Sequence, residues 1–248
     1  MLRTDLLTHL ERLLEPGRFR DYAPNGLQVE GTTDITILAT AATASLASCR
    51  AAATAGAHAL LVHHGLFWGN GDTRIVGPLA QRLRTLLDAN LNLLGYHLPL
   101  DAHPQIGNNA TALSLLGCSN DGVFGDKDLG RWGRLSEPLA PSVFATRCAA
   151  TFAHPVIHCP GGTALIRTVG VVTGAGQSFL SAAKIAGCDA FISGEASEQT
   201  WHEAAEYGIH AFACGHHASE NIAVHRLGAQ LAAQYGLRHV PISGDNPL

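Results

Sequence analysis

The chain has 248 residues, 46% of them hydrophobic and 15% charged, which is long and apolar enough for one large domain or two small ones without disulfide staples. Its formal charge is −4 and no run of Lys or Arg breaks it, so nucleic acid is disfavoured as a partner. Six cysteines are scattered with no C-x-x-C pair, which suggests neither a thiolate zinc site nor a thioredoxin-like motif and predicts small core residues in a reducing compartment.

Taken in chain order, residues 1–16 carry Asp5, Glu11 and Glu15 among leucines, predicting an amphipathic helix rather than a signal peptide. No segment approaches the length of a membrane span, so the expected location is the cytoplasm. Residues 35–40 read as a strand. Residues 45–55 read as a helix stopped by Gly56, and residues 58–65 as a second strand that is apolar until His63 and His64. A helix over 78–88 with Pro in its first turn leads to a third strand over 91–97.

The same order returns in the second half. Residues 166–176 form a strand entering a glycine-rich turn, followed by a helix over 178–186. A strand over 188–195, a helix over 197–207 capped by Ser197, a strand over 209–217 and a long helix over 218–235 complete it. Strands alternating with helices of this length predict βαβ units and a mixed, mostly parallel sheet flanked by helices. Two matching rounds predict a duplicated α/β fold in two similar lobes, 1–125 and 126–248, with the break inside 118–165.

Ligands of open α/β sheets bind beyond the carboxyl ends of the strands. There this sequence places His63-His64, His97 with Asp101, Gly194-Glu195, and Gly215-His216-His217 with Glu220. Imidazoles with carboxylates suit a pair of borderline divalent ions, with zinc, manganese and iron all compatible. His63 and His64 would serve one site only if the strand ends between them, which Gly65 allows. Pro99 is read as barring a helix, so an extended segment puts His97 and Asp101 on one side. Glu220 in the first turn of its helix can turn back to the strand end. Spacing does not choose between His216 and His217. Glu195 is read as a helix-capping acid in preference to a ligand, Phe67 and Trp68 as core or pocket wall, and His58, His103, His154, His158, His202, His210, His225 and His239 as structural or surface residues. Gly174 and Gly176 resemble a fragment of a phosphate-cradling turn without the Lys that would make it specific.

Four blocks in order, NGLQVEG (25–31), HALLVHHGLFWG (58–69), GYHLPLDAH (95–103) and ACGHHASE (213–220), resemble the signatures of the Ngg-interacting-factor-three-like family. These are also called dinuclear metal-centre proteins or type 2 GTP cyclohydrolase I homologues, and the length resembles the short bacterial form. The resemblance implies that the two lobes are intertwined and that the chain assembles as a toroidal homohexamer with two divalent ions per chain. It implies His63, His64, Asp101, His216 and Glu220 as ligands, and His97 as a nearby proton donor or acceptor. The activity it implies is metal-dependent hydrolysis of a small molecule, GTP or another nucleotide. Two other functions compete: a non-enzymatic metal-binding scaffold or regulator, and a nucleic-acid-binding ring.

Overall fold

Short apolar segments rich in Leu, Val, Ile and Ala alternate with helices whose outer faces are polar, and burying the former beneath the latter organises the chain. The structure, a computed structural model, describes residues 1–69, 71 and 74–248. Among these residues no helix is long and apolar enough to cross a membrane.

The fold is mixed α/β with two sheets flanked by helices, as the alternation predicts. It divides into two compact units: residues 1–100 with 223–245, and residues 101–222 with 246–248. The expected boundary at 125/126 therefore falls inside the second unit. The reason is that the segment between the repeats carries structure of its own, which the sequence pattern does not disclose.

In the first unit, helix α1 (Arg3–Leu14) buries Leu6, Leu10 and Leu14 at helical spacing. Strands β1 (Gly26–Val29), β2 (Ile37–Thr43), β3 (Ala59–His64) and β4 (Asn92–Gly95) are linked through α2 (Leu46–Thr54) and α3 (Gly77–Asp88). Ser45 caps α2 by accepting from the Ser48 amide. The sheet order is β1-β4-β3-β2-β11, where β11 (Arg238–Pro241) pairs with β2 in parallel. The last strand thus belongs to the first sheet, which is why residues 223–245 join that unit. The core gathers Leu60, Val62, Leu91 and Leu93 with Leu86 of α3.

The next helices are α4 (Leu98–Ala102) and α5 (Asn108–Leu115). Residues 98–102 are therefore helical, not extended. Proline is tolerated in a first helical turn because the amide it lacks has no partner there. The second sheet, β5-β6-β8-β9-β10-β7, comprises β5 (Gly122–Phe124), β6 (Gly130–Leu139), β7 (Ile157–Cys159), β8 (Ile166–Val171), β9 (Ala190–Ser193) and β10 (His210–Ala213). Helix α6 (Pro141–Phe152) follows β6, α7 (Leu180–Ile185) follows β8, and α8 (Glu198–Tyr207) follows β9. Ser197 and Thr200 form a capping box at the start of α8. Phe144 of α6 packs edge-on against Phe212 of β10 with ring centres 5.2 Å apart, in a core that includes Cys148, Val169 and Ile192. Helix α9 (His216–Tyr235) follows β10 and leads to β11. All six cysteines are free thiols, and only Cys118 is not fully buried.

Candidate metal centre

In the first unit, the chemistry stands where β3 and β4 end. Contrary to expectation, β3 does not stop between the two histidines: His64 still pairs with Thr43 in the ladder. The rings nonetheless lie close, with centres 4.5 Å apart and planes inclined at 50°. What holds them is a separate anchor for each. His63 is fully buried and its Nδ1 lies 3.0 Å from the Tyr96 carbonyl, while His64 Nδ1 lies 3.1 Å from Thr43 Oγ1. His97 follows β4, its ring centre 5.1 Å from that of His63 and 5.8 Å from that of His64. One donor atom from each of the three imidazoles lies within 4.8 Å of the other two.

The His97 anchor is a residue that the sequence did not point out. Asp21, its side chain 3% exposed, sits 2.7 Å from His97 Nδ1. The same carboxylate accepts from the Leu98 amide at 2.9 Å, the Tyr22 amide at 2.6 Å and Asn25 Nδ2 at 3.0 Å. Asn25 Oδ1 in turn accepts from the His97 amide at 2.8 Å. Burial opposes the charge on Asp21, but the His97, Asn25 and Leu98 donors outweigh it and hold the carboxyl well below the usual range. Residues 21 and 97 are too far apart for any local spacing rule. The only signal was that Asp21 lies four residues before NGLQVEG.

An acceptor on Nδ1 fixes that nitrogen as the proton-bearing one, so Nε2 presents its lone pair. For His63 and His97 the acceptors are a carbonyl and a carboxylate, which set the tautomer; for His64 the Thr43 hydroxyl can act either way.

In the second unit, β9 and β10 end in the corresponding places. His216, the first residue of α9, lies between two carboxylates: Nδ1 is 2.6 Å from Glu195 Oε1 and Nε2 is 3.1 Å from Glu220 Oε2. The approach of Glu220 is the largest influence on its charge. Burial opposes it, Glu195 adds to it, and the imidazolium is held up to about 9. Glu195 therefore grips an imidazole instead of capping α8, where Ser197 and Thr200 already serve. His217 is lowered chiefly by burial; its amide donates to the Leu248 carbonyl. Asp101, also buried, accepts from Asn108 Nδ2 at 2.8 Å.

The glycine-rich turn acquires a different reason from phosphate cradling. Gly174 has φ +61°, and a Cβ there would run into Glu220 Oε1 and approach His216 Nε2 to 3.2 Å. A Cβ on Gly194 would stand 2.6 Å from His216 Cα. Gly174 makes room for the carboxylate and the imidazole, and Gly194 for the backbone of His216 and Gly174.

The histidines expected to be structural have ordinary partners. His225 and His239 both bond Thr40 Oγ1, His158 bonds His210, and His202 pairs with Glu198 one turn earlier on α8.

The Duf34/NIF3 (NGG1p interacting factor 3) family model matches residues 1–247. The chain belongs to this family. Among its relatives, a protein of Allochromatium vinosum named "GTP cyclohydrolase 1 type 2 homolog" is 43% identical over 244 residues, covering 98% of this chain and 96% of the relative. A protein of the same name from Escherichia coli strain K12 is 41% identical over 249 residues, covering both chains fully. A solved structure described as protein ybgI, of unknown function, superposes with a TM-score of 0.96 at 40% identity over the whole of both chains. TTHA1606 from Thermus thermophilus does so with 0.92 at 32% identity, again over both chains entirely. Reduced HcgD from Methanocaldococcus jannaschii, at 20% identity with a TM-score of 0.87 over 98% of each chain, shares the fold.

The His and carboxylate clusters are candidate metal-binding groups by the chemistry of their donors. In this family member each unit carries such donors, held by neighbours that orient them.

Proposed function

We propose that this chain binds a pair of divalent ions through His63, His64, Asp101, His216 and Glu220, and uses them to hydrolyse a small molecule of the nucleotide class. The observation that carries the reading is the imidazole cluster of the first unit, where three Nδ1 atoms are each engaged by a carbonyl, a hydroxyl or a carboxylate. Such outer partners are what orient histidines toward metal. Within the second unit, His216 lies against Glu220 through Nε2 and against Glu195 through Nδ1. Imidazole with carboxylate suits zinc, manganese or iron.

A bound divalent ion supplies Lewis acidity and a water acidic near neutral pH. The protein's own part is to orient and to move protons. Asp21 holds His97 through Nδ1, so Nε2 is the atom that takes or gives a proton. His216 must release its Nε2 proton before that nitrogen can serve as a ligand, and loading the site therefore liberates protons. The name borne by the relatives, GTP cyclohydrolase 1 type 2 homolog, supplies the substrate class. The family resemblance supplies the homohexamer, which the mass of the native particle checks.

Elemental analysis of chain purified without chelator tests the metal claim: about two ions per chain supports it, and a folded, metal-free protein sinks it. Turnover of GTP and of a panel of phosphoesters and cyclic amides tests the hydrolase claim. An empty screen with metal-loaded protein, together with no effect of Glu220→Ala, overturns it in favour of a metal-held scaffold.

A further inference from the structure

Two aromatic side chains close on His97 from the solvent side of the first unit. The Trp68 ring centre lies 5.0 Å from that of His97, nearly perpendicular to it, and 5.6 Å from that of His64. The Tyr22 ring centre lies 6.5 Å from that of His97. Both rings are strongly exposed for their size, Trp68 at 40% and Tyr22 at 67%. They are nevertheless held. Trp68 Nε1 donates to the Gly65 carbonyl at 3.2 Å, and the Gly69 amide donates to the Tyr22 carbonyl at 2.6 Å. The Tyr22 amide donates to the Asp21 carboxylate, the same group that orients His97.

Single exposed hydrophobic residues need no explanation. Here two aromatic residues, on loops joined by the Gly69–Tyr22 backbone hydrogen bond, flank the one histidine assigned to proton transfer. Ring faces stack flat ring systems, and every nucleobase has such a face. Aromatic rings also attract cations. Beside a candidate metal centre, however, a cationic ligand would meet like charge from a bound divalent ion, whereas a flat uncharged ring with an anionic tail would not.

We propose that Tyr22 and Trp68 form a stacking site for a planar heteroaromatic ring, of the size of a purine base, and so present that ring to His97. The inference rests on the proposed function for what happens next to the ring, but it is a claim about binding and is separable from it. Trp68 is the main platform because its indole edge is pinned to the backbone while its ring stays exposed. Tyr22 carries the second wall.

Isothermal titration of the full chain with guanosine 5′-monophosphate and with ribose 5-phosphate, alongside elemental analysis of the same samples, decides the matter. The base-bearing probe is expected to bind more tightly. Trp68→Leu is expected to weaken it by about five- to a hundredfold, the range of one lost base–aromatic stack, with ribose 5-phosphate unaffected. Trp68→Phe keeps a ring and retains most of the affinity, which separates stacking from folding damage, and metal content stays unchanged in both variants. Equal affinity for the two probes, or an unaltered affinity in Trp68→Leu, overturns the proposal even if metal is present. Metal-free protein that still prefers the base through Trp68 upholds the stacking site and overturns the metal reading instead.

Discussion

The two sheets share a four-strand plan and differ at one edge. In the first, β1 runs antiparallel beside β4, and β4, β3 and β2 are parallel. In the second, β7 runs antiparallel beside β10, and β10, β9 and β8 are parallel. Beyond that, the first sheet adds β11 in parallel and the second adds β6 and β5 in antiparallel. The equivalent strand ends carry different donors: His63-His64 as the last residues of the middle strand in one, Gly194-Glu195 directly after it in the other. One scaffold, used twice, thus presents imidazoles from one copy and a carboxylate-gripped histidine from the other. The plan is set by apolar packing, and the chemistry is free to vary at strand ends because those residues contribute little to it.

The comparison can be broken most forcefully at the donors. Glu220→Ala and His63→Ala should each lower metal affinity by more than about a hundredfold, beyond what loss of an outer-sphere partner costs. Metal retained per chain after dialysis against a weak chelator measures this, and full retention in either variant removes that residue from the ligand set. Loss of an orienting partner should be milder: Asp21→Asn in the first unit and Glu195→Gln in the second should each cost about ten- to a hundredfold in metal affinity or in any turnover found. An effect in only one of them would show that the two units do not use their carboxylates alike.

The shared scaffold is tested in its cores. Phe212 of β10 and Leu94 of β4 hold the same place in the two sheets and are both buried. Phe212→Ala should destabilise by about 3–5 kcal/mol and Leu94→Ala by about 2–5 kcal/mol, read from denaturant midpoints. If the units unfold separately, each variant shifts only one of two transitions.

The smallest effect concerns acid. Asp21 has a folded pKa below its ordinary value, so its contribution to stability is present above that ordinary value of 3.8 and is lost as pH falls toward the folded one. Unfolding midpoints of the natural chain should therefore decline below about pH 4, and Asp21→Asn should flatten part of that decline. Identical slopes would show that the Asp21–His97 pair adds nothing to stability.

Much of this was legible in the sequence because it is periodic or local. The βαβ alternation, the glycine stops, the Ser45 and Ser197 caps and the clustering of His and carboxylate at strand ends all depend on residues within a few positions of each other. Two local inferences failed for local reasons. Pro99 was read as barring a helix although a first turn tolerates it, and His63 and His64 were read as needing a strand end between them although their side-chain anchors draw the rings together. Glu195 was assigned to the nearest helix because its real partner, His216, lies 21 residues away.

The sequence by itself determined the class of fold, the repetition of its strand plan and the residue types available for chemistry, since hydrophobic period and strand-end composition are properties of neighbours. The tertiary structure alone decided three things. It carried the last strand, β11, back to β2 of the first sheet, it set Asp21 against a histidine 76 positions further on, and it left Trp68 and Tyr22 standing exposed around that same histidine. Each depends on which distant groups a buried polar atom or an open ladder edge can find, and only the folded chain brings those partners within hydrogen-bonding reach.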